Sequence, residues 1–157
     1  MLEERTVLIV EDGNEYLENL SRFVQGPRYL QSHDGRSAVE LLKHERVDLL
    51  YLDMRFDRIE LPLLLGDHAA AKAEHNQDTN KAWKYLQNNQ GLFILEAVRK
   101  AGFVGVPVVL AYDFSREEKR FGHLKRVHPS LNWVPDAVTP SDIRALMERL
   151  TGPAGTQ

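Results

Sequence analysis

Apolar residues along this chain fall into two kinds of pattern, and the way the two alternate predicts the architecture. Three short runs are continuously apolar: Val7-Leu8-Ile9-Val10, Leu49-Leu50-Tyr51-Leu52 and Val106 to Ala111. A run without polar alternation suits a strand buried on both faces, as in a parallel sheet. Weaker strand signals lie at Tyr29-Leu30-Gln31-Ser32 and Asn132-Trp133-Val134. Between the runs, apolar positions recur at helical spacing. Tyr16, Leu17, Leu20, Phe23 and Val24 share one face of a helix predicted over 13–25 and closed by Gly26-Pro27. Ala38, Leu41 and Leu42 mark a second helix, entered through Asp34-Gly35, and Leu92, Leu95 and Val98 mark another after Gly91. Ser115, with Glu118 three positions on, reads as a capping box for a helix that stops before His128-Pro129. Thr139-Pro140 opens the last helix, with Ile143, Leu146, Met147 and Leu150 inward. Strand followed by helix, five times over, predicts an α/β fold with a doubly wound, five-stranded parallel sheet.

One stretch breaks this rhythm. Positions 57–90 separate the Leu49–Leu52 strand from its helix, whereas such connections usually run to about six residues. The stretch holds Leu61 to Leu65, an alanine-rich run from Ala69 to Ala73, and Trp83 and Leu86 spaced to share a face. It therefore reads as a helical insertion between the third strand and the third helix, with two short helices. The whole of 1–150 reads as one domain, and 151–157, small and polar, as a flexible tail.

Composition narrows the function. Of 157 residues, 43% are hydrophobic and 27% charged, which is the balance of a folded globular chain. A formal charge of -3 argues against nucleic acid as a partner, since phosphate binding needs clustered positive charge. The absence of cysteine excludes disulfides, thiolate metal sites and cysteine nucleophiles. No apolar run approaches the roughly 20 residues of a membrane span, and Met1 to Thr6 is followed by no apolar signal region. The expectation is a cytoplasmic protein with no membrane association.

The candidate chemistry is acidic. Glu11-Asp12 and Asp53 end two runs expected to be neighbours, and in open α/β sheets chemistry gathers at the carboxyl ends of the strands. Three carboxylates at one rim repel one another unless a hard divalent cation bridges them, and Mg²⁺ suits oxygen ligands with retained water. Such a cation would also neutralise an incoming phosphoryl group, with Asp53 as the nucleophile forming an acyl phosphate. The alternative stays open that acids follow strands because loops are wet and helix N-termini favour negative charge.

The chain resembles the response-regulator receiver family, on VLIVED (Val7 to Asp12), DGRSAVELL (Asp34 to Leu42), VDLLYLD (Val47 to Asp53), GLFILEAVRK (Gly91 to Lys100), VPVVLAYD (Val106 to Asp113) and the Pro-headed last helix at Thr139-Pro140. The resemblance implies the flavodoxin-like strand order 2-1-3-4-5, with the 57–90 insertion after the acceptor strand. It implies phosphorylation of Asp53 by a histidine kinase, and Mg²⁺ held by Glu11, Asp12, Asp53 and the main-chain carbonyl of Arg55. Two switch positions depart from the family. Its Thr or Ser at the end of the fourth strand is replaced by Tyr112, or by Ala111 if the register slips. The Lys before the Pro at the end of its fifth strand is replaced by Thr139, so the site lacks that positive charge. Arg55, on the same side of an extended segment as Asp53, is a candidate compensating cation.

Other signals are weaker. His68 and His75 lie seven apart, which does not suit metal ligation from a helix, and are expected to be solvated. The basic run Arg116 to Arg126 reads as a wet helix face or as a docking surface for an acidic protein. Trp83 and Tyr85 would pin the insert to the body or anchor a partner. With no output domain expected after the last helix, the first hypothesis is a stand-alone, atypical receiver-like module. It would work by protein contact through the family's helix 4, strand 5 and helix 5 face, or through the 57–90 insert. It would be either phosphorylated on Asp53 or a phosphorylation-independent pseudo-receiver, and in neither case an enzyme beyond self-phosphorylation and dephosphorylation of Asp53. The second hypothesis is a Mg²⁺-dependent phosphohydrolase using Asp12 or Asp53, weakened because Asn14 and Arg55 stand where a second acid would be needed.

Overall fold

The computed structural model describes residues 2–135 and 137–152. Five parallel strands, β1 (Thr6–Val10), β2 (Arg28–Ser32), β3 (Leu49–Asp53), β4 (Val108–Ala111) and β5 (Leu131–Val134), form one sheet in the order β2-β1-β3-β4-β5. This is the doubly wound, flavodoxin-like arrangement expected. The continuous apolar runs are the three central strands, and the two weak signals are the edges.

The pleat sorts side chains into two layers. Val7, Ile9, Leu49, Tyr51, Val109 and Ala111 pack on one face against helices α1 (Glu15–Phe23) and α7 (Pro140–Thr151), through Leu20, Val24, Ile143 and Met147. Leu8, Val10, Leu50, Leu52, Val108 and Leu110 face the other way. There they meet α2 (Gly35–His44), α5 (Gln90–Lys100) and α6 (Glu118–Val127).

The insert contains a 3₁₀ turn (Leu61–Leu63), α3 (His68–Glu74) and α4 (Thr79–Asn88), so the two short helices expected are present. Asp67 and Asp78 cap them by accepting from the amides of Ala70 and Lys81. The insert is built onto the body: Leu64, Ala71, Ala82 and Leu86 join the same core as β3 and β4. The buried Gln90 amide group bonds the backbone of Leu65 on both sides, accepting from its N–H and donating to its C=O. Trp83 stacks on His68 at 3.8 Å between ring centroids. His75 Nδ1 lies 2.7 Å from the Ala71 carbonyl, with its ring against Tyr85. Both histidines are half-buried packing groups inside the insert rather than fully solvated ones, His68 stacked on Trp83 and His75 tilted against Tyr85.

Two boundaries differ from the sequence reading. The capping box at Ser115 does not form; the Ser115 amide donates to Asp113 instead, Glu117 is bonded to Tyr112 and Arg120, and α6 starts at Glu118. At the other end, Thr151 belongs to α7 and its hydroxyl donates to the Met147 carbonyl, so the last helix runs to 151. Positions 153–157 lie outside the described residues. No helix among the described residues is long and apolar enough to cross a membrane.

Candidate functional site

The ladder puts Glu11, Asp12 and Asp53 at the same rim of the sheet, since Val10 pairs with Leu52 across β1 and β3. Their side chains then part company. Glu11 continues the alternation of Val7 and Ile9 and so points into the layer that holds α1. It is 1% exposed, and its two oxygens accept from the amides of Tyr16 and Leu17, each at 2.9 Å. Asn14, at the cap position itself, makes no capping bond with its side chain, and Glu11 does that work from just past the end of β1. The Gln31 amide donates to the same carboxylate at 3.3 Å.

Asp12 has a different partner. Its carboxylate, with 1% of the side chain exposed, accepts from the Arg58 backbone amide at 2.8 Å and from Arg58 Nη2 at 3.4 Å. The same Nη2 donates to the Glu15 carboxylate at 2.5 and 3.2 Å. These contacts hold the Arg58 guanidinium firmly protonated, above its already high ordinary range, first through Glu15 and then through Asp12. Arg58 in turn draws the Glu15 carboxyl below the usual carboxylate range by hydrogen bonding. The loop that delivers Arg58 is fixed by Phe56, fully buried, whose amide donates to the Gln87 carbonyl of α4. Arg55 is signalled in the sequence by sharing the parity of Asp53, whereas Arg58 is not. No periodicity marks Arg58, because its place depends on where the insert's first loop is anchored.

Asp53 lines a cavity of about 340 Å³, with Tyr16, Met54, Arg55, Ala111, Tyr112 and Asp113. Its Oδ1 accepts from the Met54 amide at 2.9 Å. Across the β3–β4 ladder Asp53 pairs with Ala111, which carries no hydroxyl. Tyr112, one residue later, packs against the opposite layer, stacked edge-on with Phe114, and its hydroxyl donates to Glu117. That bond is the main reason the Tyr112 phenol titrates above its usual range. Thr139 is exposed and its hydroxyl accepts from the Asp142 amide at 3.2 Å, as the cap of α7. Arg55 is exposed and lines the Asp53 cavity, and among the described residues it makes no ion pair with Asp57. Gly91 brings α5 hard against the end of β3: a Cβ there would lie 2.5 Å from the Asp53 carbonyl oxygen.

These side chains do not fit a Mg²⁺ centre as they stand. Among the described residues no three His, Asp or Glu groups converge on one point. The oxygens of Glu11 are held by amides and those of Asp12 by Arg58, so the rim is neutralised by the chain's own donors. The metal set Glu11, Asp12, Asp53 and the Arg55 carbonyl shares a rim but is not assembled as a ligand shell. Alternation turns Asp12 away from the face shared by Glu11 and Asp53, while amides engage the Glu11 oxygens and a guanidinium engages Asp12.

The basic run on α6 also divides. Arg120 donates to Glu117 and, at 2.7 Å, to Asn89 at the end of α4, and Lys125 donates to the Leu131 carbonyl. Arg116, Lys119 and Arg126 are left exposed.

No family model and no curated protein matches the chain. Solved structures do match. The receiver domain of the Francisella response regulator 1452 is similar over 94% of this chain and 97% of its own, with a TM-score of 0.61 and 14% identity. The receiver domain of NtrX from Brucella abortus is similar over 94% and 99%, with a TM-score of 0.63 and 15% identity. The Vibrio cholerae chemotaxis protein CheY4 is similar over 93% and 98%, with a TM-score of 0.61 and 17% identity. The chain has the fold of response-regulator receiver domains.

Proposed function

We propose that the chain is a receiver-like signalling module, acting in the cytoplasm through protein contact, whose recognition does not depend on phosphorylation of Asp53. The observation that carries this reading is the pairing of Asp53 with Ala111. A phosphoryl group adds about -1.5 to -2 charges, and a switch needs groups that move to meet them. At the end of β4 there is a methyl group instead of a hydroxyl, and Thr139 is engaged as a helix cap. Tyr112 is tied to Glu117, and Arg120 links Glu117 on to Asn89, so the loop after β4 is fastened to the insert. A rim held in one arrangement presents one surface. On this reading the α6, β5 and α7 face, where Arg116, Lys119 and Arg126 are exposed, suits an acidic protein partner, and the insert offers a second contact area.

A second mode, phosphorylation of Asp53 by a histidine kinase, is favoured by one observation: Arg55 lines the same cavity and would face the phosphoryl group. In that mode Arg58 would have to leave Asp12 before the rim could take up Mg²⁺. In either mode the domain is not an enzyme beyond chemistry on its own Asp53.

Incubation with Mg²⁺ and a small phosphodonor, followed by intact-mass measurement beside a phosphorylatable receiver, separates the modes. The expected result is no phosphoryl adduct on this chain. An adduct that Asp53→Asn abolishes would overturn the phosphorylation-independent reading.

A further inference from the structure

The rim of the sheet contains a resident cation, and its place can be read from three contacts. Arg58 reaches Asp12 twice, by its backbone amide at 2.8 Å and by Nη2 at 3.4 Å. The same nitrogen bridges to Glu15. Asp12 beneath it is 1% exposed while Arg58 itself is 56% exposed, so the guanidinium lies over the carboxylate as a cover. Gly13 makes the space: a Cβ there would lie 2.3 Å from Arg58 Nη2 and 2.6 Å from its Cζ. A buried carboxylate needs a compensating charge or donors, and here a side chain of the same chain supplies both.

We infer that Arg58 is a built-in substitute for a divalent cation, closing the acidic rim so that the folded domain does not take up Mg²⁺. This deepens the receiver-like reading and rests on it for the meaning of the rim, but it is tested by metal binding rather than by phosphorylation. The guanidinium and a divalent ion compete for one carboxylate. Removing the guanidinium leaves the buried Asp12 carboxylate bonded to the backbone amide of residue 58 but without a compensating charge, a demand that a hard cation can meet. Removing the space over Gly13 acts on the same contact from the other side, since a methyl group would collide with the Arg58 guanidinium and with the Glu15 carboxylate bonded to it, without changing any charge.

The test is calorimetric titration of Mn²⁺ and Mg²⁺ into the full chain and three variants, with circular dichroism confirming the fold of each. Wild type is expected to show no saturable binding that depends on Asp12. Arg58→Ala is expected to bind at least tenfold more tightly than wild type, and the double variant Arg58→Ala/Asp12→Asn is expected to lose the gain. Gly13→Ala, an independent route to the same displacement, is expected to gain binding in the same direction and keeps the inference testable if Arg58→Ala does not fold. Equal affinity in wild type and in whichever of these two variants folds, including no binding in both, overturns the inference. Absence of a phosphoryl adduct leaves this titration unaffected, so the two readings fail separately.

Discussion

Replacing Glu11 with alanine asks whether this acid serves the fold or a metal. Its carboxylate accepts from the Tyr16 and Leu17 amides at 2.9 Å each, in a side chain that is 1% exposed. Hydrogen bonds to a charged group are worth about 1.5–3 kcal/mol net, and loss of a helix cap alone costs about 0.5–2 kcal/mol. Both amides belong to partly exposed residues at the helix start, so water can reach them after truncation and the lower end of each range applies. The expected loss for Glu11→Ala is therefore about 2–3 kcal/mol. Glu11→Gln retains one acceptor oxygen but loses the charge facing the helix N-terminus, and should lose about 1 kcal/mol. For a chain of this size a loss of 2–3 kcal/mol lowers Tm by roughly 4–12 °C. Urea unfolding followed by Trp fluorescence, once in chelator and once in Mg²⁺, measures both variants. The capping role requires the same loss in either buffer. A loss below about 0.5 kcal/mol, or one that appears only with Mg²⁺ present, would refute the reasoning, since surface changes rarely exceed that size.

Two further outcomes follow from packing and titration. Gly91→Ala places a methyl group 2.5 Å from the Asp53 carbonyl oxygen and 2.9 Å from the Met54 Cα, both backbone atoms that cannot rotate away. Overpacking of about 1–3 kcal/mol should outweigh the better helix propensity of alanine, and a variant as stable as wild type would show that β3 and α5 are not locked together there. His128 is held below the usual 6.5 by burial, opposed by the Glu96 carboxylate at 3.5 Å. The unfolded chain then takes up the proton first, so stability should fall as pH drops through about 6.5 and level off below the lower folded value. Comparing Tm at about pH 7.5 and about pH 5.5, His128→Gln should show a shallower fall than wild type, and parallel slopes would exclude His128 as the source.

How far the fold was legible follows from where each strand lies. β1, β3 and β4 are covered on both faces, and Val7-Leu8-Ile9-Val10 needs no partner to be recognised. β2 and β5 are the edges, and Gln31 and Asn132 interrupt their patterns because each side chain has a polar task there, toward Glu11 and toward the Val108 and Ser130 carbonyls. The insert's helices were legible from Trp83, Leu86 and the alanine run. The start of α6 was not, because the Ser115–Glu118 capping pattern competes with bonds from Asp113 and Tyr112 that exist only once Phe114 is buried in the core.

The site was legible in residue type and illegible in partnership, and the reason is electrostatic. Strand order alone carries Glu11, Asp12 and Asp53 to one rim, so any sequence with these strands must neutralise that rim somehow. A metal ion, a row of amides and a guanidinium all satisfy the same requirement. Counting along the chain cannot choose among them. Asp12 finds Arg58 forty-six positions away only because Phe56 anchors the loop between them and Gly13 leaves the space open. Glu11 finds its amides five and six positions on only because its parity in β1 faces α1. A carboxylate whose demand for charge is met by the protein exerts little further pull on a cation. The insert that carries Arg58 is thus part of the rim's electrostatics, and shortening it would alter the site as directly as replacing an acid.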